Sequence, residues 1–287
     1  MAEMNKKHLS KTAWAALIGK WIFLGIMIIF TLYPVVYTVL GSLKTNAELT
    51  QGGGFFPAVW HFENYYQAFV QADFTKYTIN SVIVSASVTL LAAATCSLSG
   101  FILARKDFAG KKVLMALYLS MMFVSLGSVT LYPIYELLRA LKLNKTIFAL
   151  IIALTGGQAA NVFLVMGFTK GIPRELDEAA IIDGCSLYGV YSRIILPLSK
   201  PILAVVALFS FRNAWNDYIT SLIMTISMPK LQTLTVAVVQ LKYSVNAAAE
   251  WHIMLAGASI AIIPILIVYL FANKQFIAGL TAGAVKG

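Results

Sequence analysis

Five stretches of this chain run for more than twenty residues without one Asp, Glu, Lys or Arg: 21–43, 77–104, 113–135, 146–169 and 253–273. A sixth, 202–229, is apolar at both ends but holds Arg212 and Asp217 near its middle. About twenty apolar residues at ~1.5 Å rise cross the ~30 Å hydrocarbon layer of a bilayer, so each run is long enough to span one. Strands that cross a membrane need only about ten residues, so these runs predict helices. The expected fold class is all-α, a polytopic membrane protein with six transmembrane helices. Only 12% of the residues are charged and 59% are hydrophobic, a balance that suits a chain facing lipid.

The first run follows Lys6, Lys7, Lys11 and Lys20. It is longer than the apolar core of a signal peptide and no small-x-small site follows, so it reads as a retained span. With the N-terminus in the cytoplasm, fourteen Lys and Arg fall in inside segments and seven outside, with Arg212 in the membrane. The positive-inside rule therefore gives N-in and C-in. The net charge of +10 reads as orientation and attraction to anionic headgroups of membrane lipid, not as nucleic-acid binding, because the cations are split among many short loops. The domain plan is a cytoplasmic segment 1–20, a transmembrane domain 21–273 and a cytoplasmic tail 274–287. Cys96 and Cys185 fall on different sides of this plan, so neither a disulfide nor a metal site is expected.

Against this background the segment 175–184, ELDEAAIIDG, is out of place, with four acids in ten residues. Pro173 suits a first helical turn, and Glu175, Asp177 and Glu178 then favour the positive end of the helix dipole. Gly184 is a natural left-handed terminator and Ser186 can cap a second helix. The expectation is a helix, a tight turn and a helix on the cytoplasmic face, anchored through Ile182, Cys185 and Tyr188. Ile181 and the alanines would leave a small flat surface for a partner.

The full spacing is Glu178-Ala179-Ala180, three residues, Gly184, nine residues, Ile194, one residue, Leu196-Pro197. It resembles the EAA loop of ABC importer permeases, EAA-x3-G-x9-I-x-LP, with every fixed position filled. The six spans, the long loop after the first, Leu131-Tyr132-Pro133-Ile134-Tyr135, Trp215-Asn216-Asp217 and the ending from Gly279 to Gly287 are similar to the MalG-type subunit of carbohydrate ABC importers. This implies the type I importer permease fold, with a core of about 77–273. It implies that Glu178, Ala179, Ala180, Asp183 and Gly184 form a coupling helix docked on a separate ATPase. It implies a second ATPase contact through the tail, at Gly279, Thr281, Gly283 and Lys286; plain disorder is the other reading of that Gly- and Ala-rich end.

The implied partners are a second, related permease, two ATP-binding subunits and an extracytoplasmic sugar-binding protein, in a bacterial or archaeal cytoplasmic membrane. The loop 228–251 is the expected contact for the binding protein. No G-x4-G-K-[ST] or HExxH exists in the chain, so no cofactor of its own is expected, and ATP and Mg belong to the partner ATPase. The chain by itself is then no enzyme. Asn213, Trp215, Asn216, Asp217 and Tyr218 pair hydrogen-bonding groups with flat aromatic faces and are candidates for a sugar path. An Arg212–Asp217 pair that merely staples helices is the alternative. A gradient-driven secondary transporter using Asp217 is the rival function; a membrane-embedded enzyme lacks the required cluster of acids, histidines or cysteines.

Overall fold

The computed structural model describes residues 11–123, 127–243 and 249–284. Among them every regular element is helical. In chain order these are α1 (Lys11–Gly41), α2 (Asn46–Thr50), α3 (Glu63–Gln71), α4 (Phe74–Arg105), α5 (Lys111–Phe123), α6 (Leu131–Ala140), α7 (Ile147–Thr155) and α8 (Ala159–Gly171). Then come α9 (Glu175–Ile182), α10 (Leu187–Val190), α11 (Leu196–Leu198), α12 (Lys200–Asn216), α13 (Ile219–Thr225), α14 (Leu234–Gln240) and α15 (Trp251–Ala284).

Three helical stretches are long and apolar enough to cross a membrane unbroken: Leu17–Gly41, Phe74–Arg105 and Trp251–Leu270. Two bent pairs, α7 with α8 at 53° and Leu187–Leu198 with Lys200–Asn216 at 76°, bring the number to five if each is one broken span. The run expected over 113–135 differs from a single long helix. Its first part is α5, 13 residues and so about 20 Å long. A 3₁₀ turn, Gly127–Thr130, and α6 follow, and residues 124–126 lie outside the described part. Hydropathy registers the composition of such a run but not its breaks.

α4 is the central post. It packs against α7, α8, α12 and α14. Its buried stripe, Ser81, Val84, Ser85, Val88, Ala92, Cys96 and Gly100, recurs every three or four residues and is made of small side chains. Small residues let helix backbones approach closely where lipid supplies no hydrophobic drive. Gly100 is the tightest point: a Cβ there would lie 2.7 Å from the Val165 Cβ on α8. A second core gathers α3, α12, α14 and α15 around Trp215, Leu234 and Ile253. By contrast, the apolar stretch of α1 stays unburied in this chain, touching α15 and, through Tyr33, the Phe55 ring of the following loop.

At the end of the bundle away from α9, the loop after α1 is ordered by polar contacts. Thr45 and Glu48 form a capping box on α2, and a Glu48 carboxylate oxygen also accepts from the Ala58 N–H at 2.9 Å. The Asn64 amide donates to the Ser42 and Lys44 carbonyls. Asn46 joins this loop to the start of α15 through Ala249 and Trp251.

Candidate functional site

α9 starts after Pro173 with three acids in its first turn and no side-chain cap. Its end is a paired-bond stop: the Cys185 N–H donates to the Ala180 carbonyl and the Gly184 N–H to the Ile181 carbonyl. This Schellman arrangement puts Gly184 at φ +83°, a conformation that costs a side-chain-bearing residue about 1–2 kcal/mol. Ser186 Oγ then accepts from the Gly189 N–H and starts α10. Residues Tyr191–Ile195 form a π turn. Pro197 has no N–H to continue an α ladder, and the chain turns sharply into α12.

One side chain from α4 fixes this corner. Arg105 Nε lies 2.6 Å from Asp177 Oδ2, and the Arg105 guanidinium also donates to the Ile172 carbonyl at 2.9 Å. The first contact is an ion pair off the hydrogen-bond line, and Asp177 Oδ1 is buried without a hydrogen-bond partner. Beneath it Phe101, Ile172, Ala180, Val190 and Ile195 make a closed apolar cluster. Tyr191 packs on the Phe101 ring and donates from its hydroxyl to Ser97 Oγ at 3.1 Å. The α9–α10 corner is therefore attached to α4 by charge, hydrogen bonds and packing together. Next to it Lys111 bonds Asp107 at 2.8 Å; that bond and charge, with Arg174 further off, hold the Asp107 carboxyl below its usual range.

The face turned inward is only partly the one expected: Cys185 packs on this cluster. Ile182 is 86% exposed and Tyr188 is also exposed, so neither anchors the corner. Ala180 is buried inside this chain and is not available to a partner, because the Arg105–Asp177 pair rotates that side of α9 toward α4. Glu178, Ala179, Ile182, Asp183 and Gly184 form the exposed face. Glu178 also borders a hollow of about 140 Å³ with Arg105, Lys106 and Arg174.

The second candidate set lies where α12 ends. Asn213 and Asn216 are exposed, and Asp217 and Tyr218 are half-buried. Arg212 bonds Asn213 at 3.3 Å and makes no ion pair with Asp217 among the described residues. Asp217 Oδ1 instead accepts from the Ser221 N–H, in the first turn of α13, at 2.7 Å. Trp215 departs from the expected role: it is 3% exposed, stacks on Phe211 and donates to the Ala261 carbonyl on α15, so it is a core residue. Within the loop 228–251, α14 is buried in the same core, and residues 244–248 lie outside the described part. Gly279, Thr281 and Gly283 fall in the helical run of α15, whereas Lys286 lies outside the described residues. No group of three metal-ligating side chains is present among the described residues.

A cavity that sequence reasoning missed sits at the α7–α8 break, between α4 and α5. Its lining is scattered over four elements and follows no single period.

The family profile described as "Binding-protein-dependent transport system inner membrane component" matches residues 18–280. The probable ABC transporter permease protein YurM of Bacillus subtilis is 31% identical over 93% of this chain and 88% of its own length. The arabinooligosaccharides transport system permease protein AraQ of Halalkalibacterium halodurans is 31% identical over 99% of this chain and its own full length. Among solved structures, a chain of a bacterial ABC transporter involved in import of the acidic polysaccharide alginate is 22% identical. It superposes with a TM-score of 0.79 over 94% of this chain and all of its own.

Proposed function

The chain belongs to the family of binding-protein-dependent transport system inner membrane components, and on that premise we propose that it is a permease subunit of an ATP-driven importer of oligosaccharides or sugar derivatives. The observation that carries this reading is α9. Its outer face is uncovered while its inner face is fixed to α4 by the Arg105–Asp177 pair and the Ala180 cluster. A helix held so firmly to a membrane-crossing post, yet presenting Glu178, Ala179, Ile182 and Asp183 outward, is suited to transmit motion from a companion subunit.

In this reading the chain lies N-in and C-in, and α9 meets a separate ATP-binding subunit, as does the end of α15 around Gly279, Thr281, Gly283 and Lys286. A second, related permease covers the apolar surface of α1 and completes the path. A sugar-binding protein delivers cargo to the face that carries α2 and α3. ATP binding and hydrolysis occur in the companion subunits, with their Mg; the permease makes and breaks no covalent bond. It alternates between two states, and ATP shifts their balance by binding one of them better. The exposed Arg212, Asn213 and Asn216 on α12 offer polar groups at membrane depth. Such groups normally face a bundle interior or a watery path.

The test is ATP hydrolysis and sugar uptake by the purified complex carrying Glu178→Ala or Gly184→Trp. Both variants are expected to assemble poorly or to uncouple hydrolysis from uptake. Normal hydrolysis and uptake in both, or no ATPase bound to the wild type, overturns the assignment.

A further inference from the structure

The break between α7 and α8 opens a cavity of about 460 Å³ against α4 and α5. That is within the ~300–1,000 Å³ range of small-molecule sites. Ser99 comes to it from α4, Tyr118 from α5 and Gln158 from the break itself. The Ser99 and Tyr118 hydroxyls have no hydrogen-bond partner among the described residues. The Gln158 oxygen accepts from the Asn161 amide, and its own NH₂ donors are unpartnered on the same terms. Three elements therefore bring half-buried polar groups, none fully bonded within the chain, to one hollow.

What fills the hollow follows from those groups. A lipid tail would leave all three unpaired, at a cost of about 1–3 kcal/mol each. No Asp, Glu, Lys or Arg lines it, so it offers a charged ligand no counter-ion, and burying an unpaired charge is more costly still. The Tyr118 ring, braced edge-on by Phe163 at 6.5 Å, supplies a flat apolar surface beside the hydroxyl-bonding groups. Hydroxyls around a C–H face that stacks on a ring describe a neutral sugar.

Depth places the cavity. Ser99 is six residues from the Arg105 end of α4, about 9 Å at the helical rise, and Tyr118 is seven from the start of α5, about 10 Å. Under the orientation proposed above these two lie in the inner half of the membrane, while Gln158, 13 residues from the Gly171 end of α8, lies about 20 Å in, so the cavity reaches from the midplane toward the inner face. Asn213 stands 13 residues beyond the inner end of α12, about 20 Å in. Resting on the sugar-permease reading, we infer that the Ser99–Tyr118–Gln158 cavity, which reaches from mid-membrane toward the inner face, is a site for one neutral sugar ring.

The experiment uses the complete transporter in proteoliposomes, with linear arabinooligosaccharides and maltodextrins as neutral probes and alginate oligosaccharides as acidic ones. The permease carries Cys96→Ala, at the cavity wall but common to every chain compared, and Cys185→Ser, with Ser99→Cys as the reporter and Leu90→Cys, an exposed apolar position of α4 outside the cavity, as the control. A small cationic methanethiosulfonate should modify Ser99→Cys at least about tenfold faster than Leu90→Cys, because only the first meets water. During turnover a transported neutral sugar should slow that modification about fivefold, and Tyr118→Phe should lower its uptake about fivefold, the loss expected for one hydrogen bond. Labelling no faster than at Leu90, labelling unaffected by sugar, equal protection by acidic sugars, or unchanged uptake in Tyr118→Phe each overturns the site. If the wild-type complex binds no ATPase and moves none of the probes, the sugar-permease reading itself has failed and the site falls with it; in the other failures the wild type still transports.

Discussion

Arg105 Nε on α4 stands 2.6 Å from Asp177 Oδ2 on α9, and the two side chains keep only 5% and 15% of their surface exposed. Little water reaches the pair, so the exposed-bridge value of at most about 1 kcal/mol does not apply. Removing one partner from a buried pair costs ~3–5 kcal/mol because the other charge is stranded. Asp177 has one more oxygen already without a hydrogen bond, so it has nothing to fall back on.

Arg105→Ala should therefore loosen α9 without unfolding the bundle. Hydrogen exchange of residues 172–185 should speed up, and uptake per ATP hydrolysed should fall by about tenfold or more, equivalent to ~1.4 kcal/mol of lost coupling. Arg105→Ala with Asp177→Ala should recover part of that loss, since no charge is left stranded. A double variant no better than the worse single one would show that the pair is not the fastening.

Gly100→Ala should destabilise the whole bundle. The added Cβ would sit 2.7 Å from Val165 Cβ and 2.9 Å from the Met166 backbone nitrogen, and backbone cannot yield cheaply. Overpacking of this sort costs ~1–3 kcal/mol. Val165→Ala in the same chain should return part of it. Gly167→Ala, one helix over, meets nothing within 4 Å and should be neutral or slightly stabilising. Thermal midpoints of the detergent-solubilised complex separate the two.

The sequence carried the helix, the left-handed stop at Gly184 and the Ser186 cap of this corner because each depends on neighbours a few residues away. Which face of α9 turns inward was not legible. Ile182 is the more apolar side chain, yet Ala180 is the buried one, because the rotation is set by Arg105 from a distant part of the chain. The same limit applies to Trp215, whose aromatic and polar neighbours pointed to a path. Its place is decided by Phe211 and the Ala261 carbonyl. The breaks in the spans over 146–169 and 202–229 were likewise invisible to hydropathy. The cavity at Gln158 exists only because of the first of them.

The loop after α1 should be acid-sensitive. Backbone N–H bonds from Thr45 and then Ala58 hold the Glu48 carboxyl below its ordinary value of 4.5. A carboxyl with a depressed folded-state pKa adds stability at pH values above its unfolded value, and that stability drains away as pH falls through the folded one. Protease nicking between 44 and 62 should therefore be slow at neutral pH and rise as pH drops below about 4.5. Glu48→Gln should show faster nicking already at neutral pH and a flatter profile. Identical profiles for the two chains would remove Glu48 from the account.

Ile182 gives the sharpest separation between holding the fold and meeting a partner. It is 86% exposed, so in this chain alone it contributes almost nothing to packing. If a companion subunit covers the outer face of α9, the side chain is buried there and is worth ~1.5–3 kcal/mol. Ile182→Ala should then weaken association with the ATPase about tenfold, and Ile182→Asp, which adds a charge to a covered surface, considerably more. Neither should shift the thermal midpoint of the permease by itself. Ala180→Leu is the mirror case: it overfills the cluster of Phe101, Ile172, Val190 and Ile195 and should lower that midpoint before any partner is added. Association measured by co-purification and stability measured by thermal scans should thus move independently at two positions two residues apart. If Ile182→Asp binds the ATPase as the wild type does, the uncovered face of α9 is not the docking surface.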